Sequence, residues 1–406
     1  MTTAQARDIL SQEFAEDPYP TYGVMLEEQP LVWHDPMQSY IISRYEDVAR
    51  AFREPVFTSD NYEWQLEPVH GGRTIVQMSG REHAVRRALV APAFRGNELQ
   101  RRFLPVIERN AAELIDGFRD AGRADLVADF ARRFPINVIV DMLGLNRDDQ
   151  PKFQRWYENV IAFLGNLSQD PDVAAAGLRT SAELTEYMVP VITERRANLG
   201  DDLLSTLCTA EVDGTTMSDQ DIKAFVSLLL AAGGETTDKA IASMFKNLLE
   251  HPDQLAAVRA DRSLIPQAFA ETLRYSPPVH MIMRQPDNDV EVTGGTLPAG
   301  VTVTCLIAAA NRDPRRFADP NSFNIFRTDL PTTTAFSAAA GHLAFALGRH
   351  FCVGAMLAKT EVEVATNQLL DAMPDLQIEP GTVLTEQGVF TRGPATLPIR
   401  FTPTPR

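Results

Sequence analysis

One long apolar segment restricts most strongly what this chain can fold into. The segment starts after Ser218, a residue type that caps helices, with Asp221 three residues later in the position that completes a capping box. It ends at His251-Pro252. A helix over this interval would be roughly 50 Å long, enough to cross an entire domain. Because it is apolar on several sides, we expect it to be buried at the centre of the protein.

The remaining hydrophobic pattern predicts a mainly α protein with a minor β portion. A 3.6-residue period dominates from about Gly80 to Glu250, whereas alternating, strand-like pieces lie near both ends. The predicted helices are Tyr45–Arg53, Phe103–Phe118, Leu126–Leu143, Phe153–Leu164, Leu184–Ala197 and Val353–Leu370. The predicted strands are Pro30–His34 and Tyr40–Ser43 as a hairpin, then Val290–Val292, Val301–Ile307 and Ala395–Phe401.

Composition excludes several classes of protein. The chain has 406 residues and a net charge of −16, which argues against a nucleic-acid-binding surface. Three cysteines without a Cys-x-x-Cys pair indicate neither a disulfide framework nor a zinc ribbon. We find no signal-peptide core and no apolar run long enough to span a membrane. With no repeat or linker, we expect residues 1–406 to form one soluble, cytoplasmic domain.

The middle of the long helix reads Ala231-Ala232-Gly233-Gly234-Glu235-Thr236-Thr237. Two glycines inside a buried helix cost about 1 kcal/mol each relative to alanine, so they need a reason. Their missing side chains would let something flat approach the backbone, or would let another helix cross closely. Glu235 and Thr236 then supply an acid and an alcohol at the thinnest point of the helix.

A second unusual stretch runs from Phe345 to Lys359. Cys352 lies between Gly348 and Gly354, just before a helix-forming run. Free backbone N–H groups and the positive end of the helix dipole favour a thiolate at such a place. The thiolate would be a metal ligand, or a nucleophile paired with His350 as its base. A buried structural cysteine in a turn is the simpler alternative for an isolated cysteine.

Three motifs together resemble the cytochrome P450 family. Phe-x-x-Gly-x-His-x-Cys-x-Gly-x-x-Leu-Ala, starting at Phe345, is similar to the family's haem-ligand loop. The Gly-Gly-Glu-Thr sequence is similar to its oxygen-activation motif. Glu271-x-x-Arg274, followed downstream by Asn311 to Phe317, is similar to its buried ion pair and the segment that joins that pair. The resemblance extends over essentially the whole chain, from Asp17-Pro18-Tyr19-Pro20 to the C-terminal strands.

The resemblance implies a P450 fold, with haem b between the long central helix and the helix after the cysteine. It assigns Cys352 as the iron ligand, whose thiolate would favour O–O cleavage, and Thr236 and Glu235 as the catalytic residues that deliver protons. It makes Arg316 the third, structural partner of Glu271 and Arg274. The other residues that it places at the haem, four of them as partners of the propionates, are His83, Arg87, Arg284, His350, Phe345 and Gly354.

Two positions depart from the family pattern. Ala346 stands where glycine or serine is usual, and an L-residue there restricts φ, so the loop beneath the cysteine is expected to differ slightly. Lys359 replaces the usual arginine, which keeps the charge but loses bidentate geometry.

The implied activity is that of a monooxygenase hydroxylating a mid-sized hydrophobic molecule, in the style of soluble bacterial members of secondary metabolism. We expect a monomer that uses O2 and receives electrons from NAD(P)H through a separate ferredoxin-type partner. Candidate docking cations are Arg86, Arg101, Arg102, Arg349 and Lys359. Two alternatives stay open: oxidative coupling or cyclisation that retains no oxygen atom, and a haem-binding sensor or carrier. The intact Glu235-Thr236 pair argues against the second.

By position in the family, the substrate pocket lies over the distal face of the haem. The loop around Tyr62 to Val76 and the region Phe163–Asp172 are expected to form its lid. Its predicted wall residues are Leu228, Ala231, Ala232, Val279, Ile282 and Phe390. Ordinary core packing explains each of these apolar residues equally well.

Overall fold

The structure is a computed structural model that describes residues 8–166 and 169–403. Helices make up most of it, and short strands along the chain form a small β portion. Residues 167 and 168, in the second predicted lid region, lie outside the described residues. The predicted fold class is confirmed.

The central helix is Asp219–Glu250, and it begins and ends as the sequence predicts. Ser218 and Asp221 form the expected capping box, and His251 is the C-cap residue. Most of its side chains are buried, so the other helices pack around it. The remaining α-helices of four or more residues are Gln12–Glu16, Tyr19–Glu27, Tyr45–Arg53, Glu63–His70, Gly80–Val90, Leu104–Asp116, Phe134–Met142, Gln150–Leu164, Pro171–Ala197, Leu203–Thr209, Pro252–Ala260, Ile265–Tyr275, Ile307–Ala310, Thr332–Ala335 and Ala355–Ala372.

Some predicted helices differ from the observed ones for local reasons. The predicted helix Leu126–Leu143 is divided into a π-helix, Leu126–Ala131, and an α-helix, Phe134–Met142, where Pro135 takes an early position that tolerates proline. The predicted helix Leu184–Ala197 is only the second part of a longer one, Pro171–Ala197. No helix in the described part of the chain is both long and apolar enough to cross a membrane.

A five-stranded sheet contains the predicted hairpin. Leu31–His34 and Ser39–Ile42 pair antiparallel, and Ser39–Ile42 also pairs in parallel with Thr302–Leu306. Met281–Pro286 then joins Thr302–Leu306, and Phe57–Thr58 completes the sheet. The short strands outside this sheet are Arg123–Asp125, Glu211–Val212, Thr215–Thr216, Val290–Val292, Gly295–Leu297, Gln377–Ile378, Glu386–Gln387, Gly393–Pro394 and Pro398–Arg400.

A buried ion-pair network holds the segment behind the cysteine loop. Glu271 accepts a hydrogen bond from Arg274 Nε at 2.7 Å and forms an ion pair with Arg327, whose Nε lies 2.8 Å away, and the side chains of Glu271 and Arg274 are fully buried. Arg274 also donates to the carbonyl oxygen of Asn311 at 3.1 Å. Asn311 Oδ1 in turn accepts from the backbone N–H of Leu343 at 2.8 Å. Asn311 therefore links the ion-pair network to Leu343, which lies just before the loop that carries Cys352.

The prediction that Arg316 completes this network is wrong. Arg327 takes that place, because its side chain reaches Glu271 and is only 5% exposed. Arg316 instead donates to the carbonyl oxygen of Asp329 at 3.4 Å and lies over the rings of Tyr45 and Phe317. Both arginines follow Arg274 by a few tens of residues, so spacing alone does not distinguish them.

We expect Arg327→Ala to destabilise the protein much more than Arg316→Ala. Removing Arg327 takes one of two cations from a buried carboxylate, a loss of about 3–5 kcal/mol. Removing Arg316 loses a long hydrogen bond and ring contacts, worth about 1 kcal/mol. Urea unfolding of the two purified variants measures the difference. Equal effects would mean that Glu271 does not depend on Arg327.

Candidate functional site

The cysteine loop is held in place by its own backbone. The N–H of Cys352 donates to the carbonyl oxygen of Phe345 at 2.9 Å, which closes the loop. Gly354 is the N-cap residue of the helix Ala355–Ala372, the Cys-loop helix. Gly348 has φ +66°, and a methyl group added there would lie 2.8 Å from the carbonyl oxygen of Phe52. Only glycine satisfies both conditions, so Gly348 sets how closely the loop packs.

Ala346 adopts the left-handed backbone conformation in spite of its side chain. Its φ is +54°, a value that costs an L-residue about 1–2 kcal/mol. The loop therefore holds Ala346 in the conformation that glycine adopts without this cost, and the expected difference in φ does not occur.

Burial raises the pKa of the Cys352 thiol, although the N–H of Gly354 and the charge of Arg87 both act to lower it. The N–H of Gly354 at the helix N-terminus therefore favours the thiolate as predicted, but burial outweighs it in the protein alone. Among the described residues no hydrogen bond joins His350 to Cys352, so a base-activated nucleophile has no support from the geometry. A bound metal cation would supply the positive charge that the thiolate needs.

The four predicted propionate partners come together in a basic cluster. The rings of His83 and His350 are tilted at 35° to each other, with centroids 4.2 Å apart. Burial lowers the pKa of His350 to about 3, and its neighbours His83, Arg284, Arg349 and Arg87 add to that effect. Burial, with Arg87 and Arg349, lowers the pKa of His83 to about 4. The sequence reading placed Arg349 only among the docking cations and so missed its place in this cluster.

The basic cluster has hydrogen-bonding capacity left over. The Nε2 atom of His83 is buried without a partner. The side chain of Arg87 forms no hydrogen bond or ion pair with any residue that the structure describes. Arg284 is buried, and its one hydrogen bond in the same part of the chain goes to the carbonyl oxygen of Met283 at 2.8 Å. These groups therefore suit an anion that accepts several hydrogen bonds.

The two glycines of the central helix serve helix packing. A methyl group on Gly234 would lie 2.6 Å from Ile136 Cδ1 and 2.9 Å from the Tyr157 ring, and one on Gly233 would lie 3.0 Å from Ile139. The open face of the helix is instead at Ala232, which is exposed although its neighbour Ala231 is buried. A flat group can approach Ala232, not the glycines.

Glu235 and Thr236 are adjacent but face different partners. Thr236 Oγ1 donates to the carbonyl oxygen of Ala232 at 2.6 Å. Glu235 Oε1 accepts from Thr391 Oγ1 at 2.6 Å and forms an ion pair with Lys239 at 2.8 Å. Lys239 lies one helical turn after Glu235, a spacing that predicts such a pair. Thr391 is distant in sequence, and no local pattern identifies it.

Three of the six predicted pocket residues, Ile282, Phe390 and Ala231, belong to two small apolar clusters. Ile282 and Phe390 pack with Tyr62, Leu66 and Met283, which joins the C-terminal loop to the predicted lid. Ala231 packs with Val69 and Val160. Val279 forms a β-bridge with Thr391, next to Phe390. Leu228 is buried on the central helix.

A buried lysine fastens one of the two lid segments. Glu63–His70, the lid helix, ends at Gly71, and Lys223 Nζ donates to the carbonyl oxygen of His70 at 3.0 Å and to Ser181 Oγ at 3.1 Å. Burial lowers the pKa of Lys223 to about 8. The ring of His70, which Ser227 contacts at 2.9 Å, has its pKa lowered to about 3 by burial and by Lys223. The sequence reading missed this contact.

Three of the five candidate docking cations are engaged within the protein. Arg86 pairs with Asp221 at 2.9 Å, Arg102 pairs with Glu98 at 2.7 Å, and Lys359 pairs with Glu363 at 2.6 Å. Arg101 and Arg349 are exposed. A docking surface built on all five is therefore not supported, because only the last two are free of ion pairs within the described residues.

Comparison with known proteins identifies the family. The family model "Cytochrome P450" matches residues 14–373. Pulcherriminic acid synthase of Bacillus subtilis is 43% identical over 394 residues, which cover 97% of each chain. Cytochrome P450 monooxygenase PikC of Streptomyces venezuelae is 34% identical, over 97% of this chain and 93% of PikC. The crystal structure of CalO2 superposes with a TM-score of 0.87 at 30% identity, over 98% of this chain and all of that one.

We expect Gly348→Ala to destabilise the protein more than Gly381→Ala does. Both glycines have positive φ, but a methyl group on Gly348 meets backbone at 2.8 Å whereas one on Gly381 has open space around it. Gly381→Ala, the control, should therefore lower the free energy of unfolding by about 1 kcal/mol, because of its positive φ alone. Gly348→Ala should lower it by about 2–3 kcal/mol. Thermal unfolding measures both. Equal shifts in Tm would show that the loop can move away from Phe52.

The charge on Lys223 makes stability depend on pH in a defined direction. Its pKa is near 8 in the folded protein and near 10.5 in the unfolded chain, so between these values the unfolded chain binds more protons. Stability from this group therefore rises with pH across that window. We expect Lys223→Met to gain stability relative to the wild type most below pH 8 and to lose that gain by pH 10. A difference independent of pH would contradict the lowered pKa.

Proposed function

This chain belongs to the cytochrome P450 family and is a cytochrome P450 monooxygenase, and from that premise we propose that it hydroxylates a mid-sized hydrophobic molecule of secondary metabolism. One observation carries the proposal. The pKa of the half-buried Cys352 thiol is raised, and the basic cluster around His83 and His350 has a buried donor without a partner at His83 Nε2, so each lacks the opposite charge that a haem would provide.

The residues present fit haem b. Iron bound at Cys352 Sγ would favour the thiolate against the effect of burial. The two propionates would accept from His83 Nε2, Arg87, Arg284 and His350, and Arg349 adds positive charge to that group. Phe345 and Gly354 flank the cysteine in the loop. When bound, haem supplies the redox chemistry by which O2 is reduced with two electrons and one oxygen atom enters the substrate.

The protein's own residues handle protons and water. Thr236 holds a hydroxyl proton at Oγ1 on the open face of the central helix, and Glu235 is the acid that replenishes it. The apolar cluster of Tyr62, Leu66, Met283, Ile282 and Phe390 limits water above that face. Excluding bulk water keeps proton delivery under the control of these two side chains.

Two observations support a hydrophobic substrate. The pocket walls are apolar, and the names of similar proteins mention related activities or ligands. The walls are apolar, with few polar groups, as is usual for such sites. PikC is named a monooxygenase, a relative from Salinispora arenicola is named cyclomarin C epoxidase, and a similar solved structure is a complex with testosterone. Oxidative coupling or cyclisation uses the same site but has no observation that favours it here.

We also propose that residues 1–406 form a single cytoplasmic haem domain that acts as a monomer. It would take electrons one at a time from NAD(P)H through a separate ferredoxin-type protein. Coverage of 97% of pulcherriminic acid synthase and all of CalO2 supports the domain assignment. Arg101 and Arg349 are the exposed cations offered for docking.

An absorption titration tests the substrate class. We expect hydrophobic natural-product scaffolds to shift the haem band of the purified protein to the high-spin position, because they displace water from the iron. Small polar metabolites of similar mass serve as the control and should leave the band unchanged. Shifts produced by the polar set alone would contradict a hydrophobic substrate.

Substitution of Thr236 tests the proton pathway. With a scaffold that shifts the band, Thr236→Ala should lower the product formed per NAD(P)H consumed about tenfold and release the difference as hydrogen peroxide. Thr236→Ser keeps the hydroxyl and should stay close to the wild type. If Thr236→Ala couples electron use to product as well as the wild type does, the assignment of Thr236 is wrong.

A further inference from the structure

The acid of the active site is held by two donors that reach the same oxygen atom. Thr391 Oγ1 and Lys239 Nζ both contact Glu235 Oε1, at 2.6 Å and 2.8 Å. Glu235 is only 7% exposed, so these contacts are shielded from water and have a strong effect on its orientation. Thr236 donates to Ala232 instead, and the acid and the alcohol are not bonded to each other.

Thr391 belongs to a loop that forms one wall of the proposed pocket. The preceding residue, Phe390, packs with Ile282 and with Leu66 of the lid helix. The carbonyl oxygen of Phe390 accepts from the N–H of His280 at 2.9 Å. The N–H of Arg392 donates to the carbonyl oxygen of Pro278 at 2.8 Å. The backbone on both sides of Thr391 is therefore fastened to the segment 278–280, and the two stretches move as one wall.

The same loop also touches the second donor. A methyl group added to Gly393 would lie 2.9 Å from Lys239 Cγ, so the loop packs directly on the stem of this lysine. Both groups that hold Glu235 thus depend on where the loop lies. A change in its position is communicated to the carboxylate by the Thr391 hydroxyl and by the Lys239 stem.

We propose that Thr391 is a positioning residue that links occupancy of the pocket wall to the orientation of Glu235. In the arrangement seen in this structure, Thr391 holds the carboxylate of Glu235 turned away from Thr236. A ligand that displaces Phe390 and Val279 moves Thr391 with them and frees the carboxylate to turn towards Thr236. Protons are then supplied mainly when the pocket is filled. The proposal rests on the role of Glu235 in the proposed function, and by linkage Glu235 in turn affects ligand affinity.

A double-mutant cycle measures this link without turnover. The dissociation constant of 4-phenylimidazole, which binds haem iron and places a phenyl ring in the pocket, is measured by absorption for the ferric holoenzyme. Glu235→Ala should change that constant by about threefold or more in the wild-type background and hardly at all in Thr391→Val, which keeps the shape but loses the hydroxyl. If Glu235→Ala changes the dissociation constant by the same factor in both backgrounds, the proposal is overturned.

Electron use without a ligand gives the second readout. A surrogate ferredoxin and its reductase supply electrons, and NAD(P)H oxidation is followed in the absence of substrate. Thr391→Val should raise this rate about threefold or more, because the acid is no longer held away from Thr236. Thr391→Ser should restore the wild-type rate. Thr385→Val, which removes a hydroxyl that makes no contact with Glu235, is the matched control.

The positioning role of Thr391 and the proposed function of the protein can fail separately. If Thr391→Val leaves both readouts as in the wild type while Thr236→Ala still uncouples electron use, the positioning role of Thr391 is wrong and the proposed function stands. If Thr236→Ala does not uncouple electron use, the role of the Glu235–Thr236 pair is wrong, and the positioning role fails with it.

Discussion

The ion-pair network of Glu271, Arg274 and Arg327 is the interaction on which the rest of the structure depends. Taking these charges out of water is costly, so the network is stable only because the buried carboxylate of Glu271 is paired with both arginines. Its connection through Asn311 to Leu343 places those charges directly behind the cysteine loop. We therefore expect the backbone conformation at Gly348 and Ala346, and with it the position of Cys352, to depend on this ion-pair network.

The candidate site differs from this ion-pair network, because its charged and polar groups lack partners of opposite charge. A thiol whose pKa is raised by burial lies in the same site as the cations Arg87, Arg284 and Arg349 and as His350, which is neutral at pH 7 because its pKa is lowered to about 3. A thiol in that state needs a cation, and the cluster needs an anion. One cofactor that carries iron at its centre and carboxylates at its edge meets both requirements. The family assignment and the physical chemistry of the site therefore agree independently.

Much of this fold can be predicted from the sequence wherever local pattern decides the structure. The capping box at Ser218 and Asp221, the hairpin and the helix Tyr45–Arg53 depend on neighbours in the chain, and all three are confirmed. Arg327 and Thr391 could not be found in this way, because tertiary packing selects them among many chemically equal residues. The pKa of the Cys352 thiol has two opposing causes, and of these the helix terminus is visible in the sequence whereas the extent of burial is not.

The central claim is that Cys352 is the thiolate ligand of a haem held by the basic cluster. The most direct test is the absorption spectrum of the purified, reduced protein under carbon monoxide, recorded beside Cys352→Ser at equal haem content. If Cys352 is the ligand, we expect a thiolate-type carbon monoxide spectrum in the wild type and its loss in Cys352→Ser. A thiolate-type spectrum that survives in Cys352→Ser, or no haem band in the wild type, would contradict it.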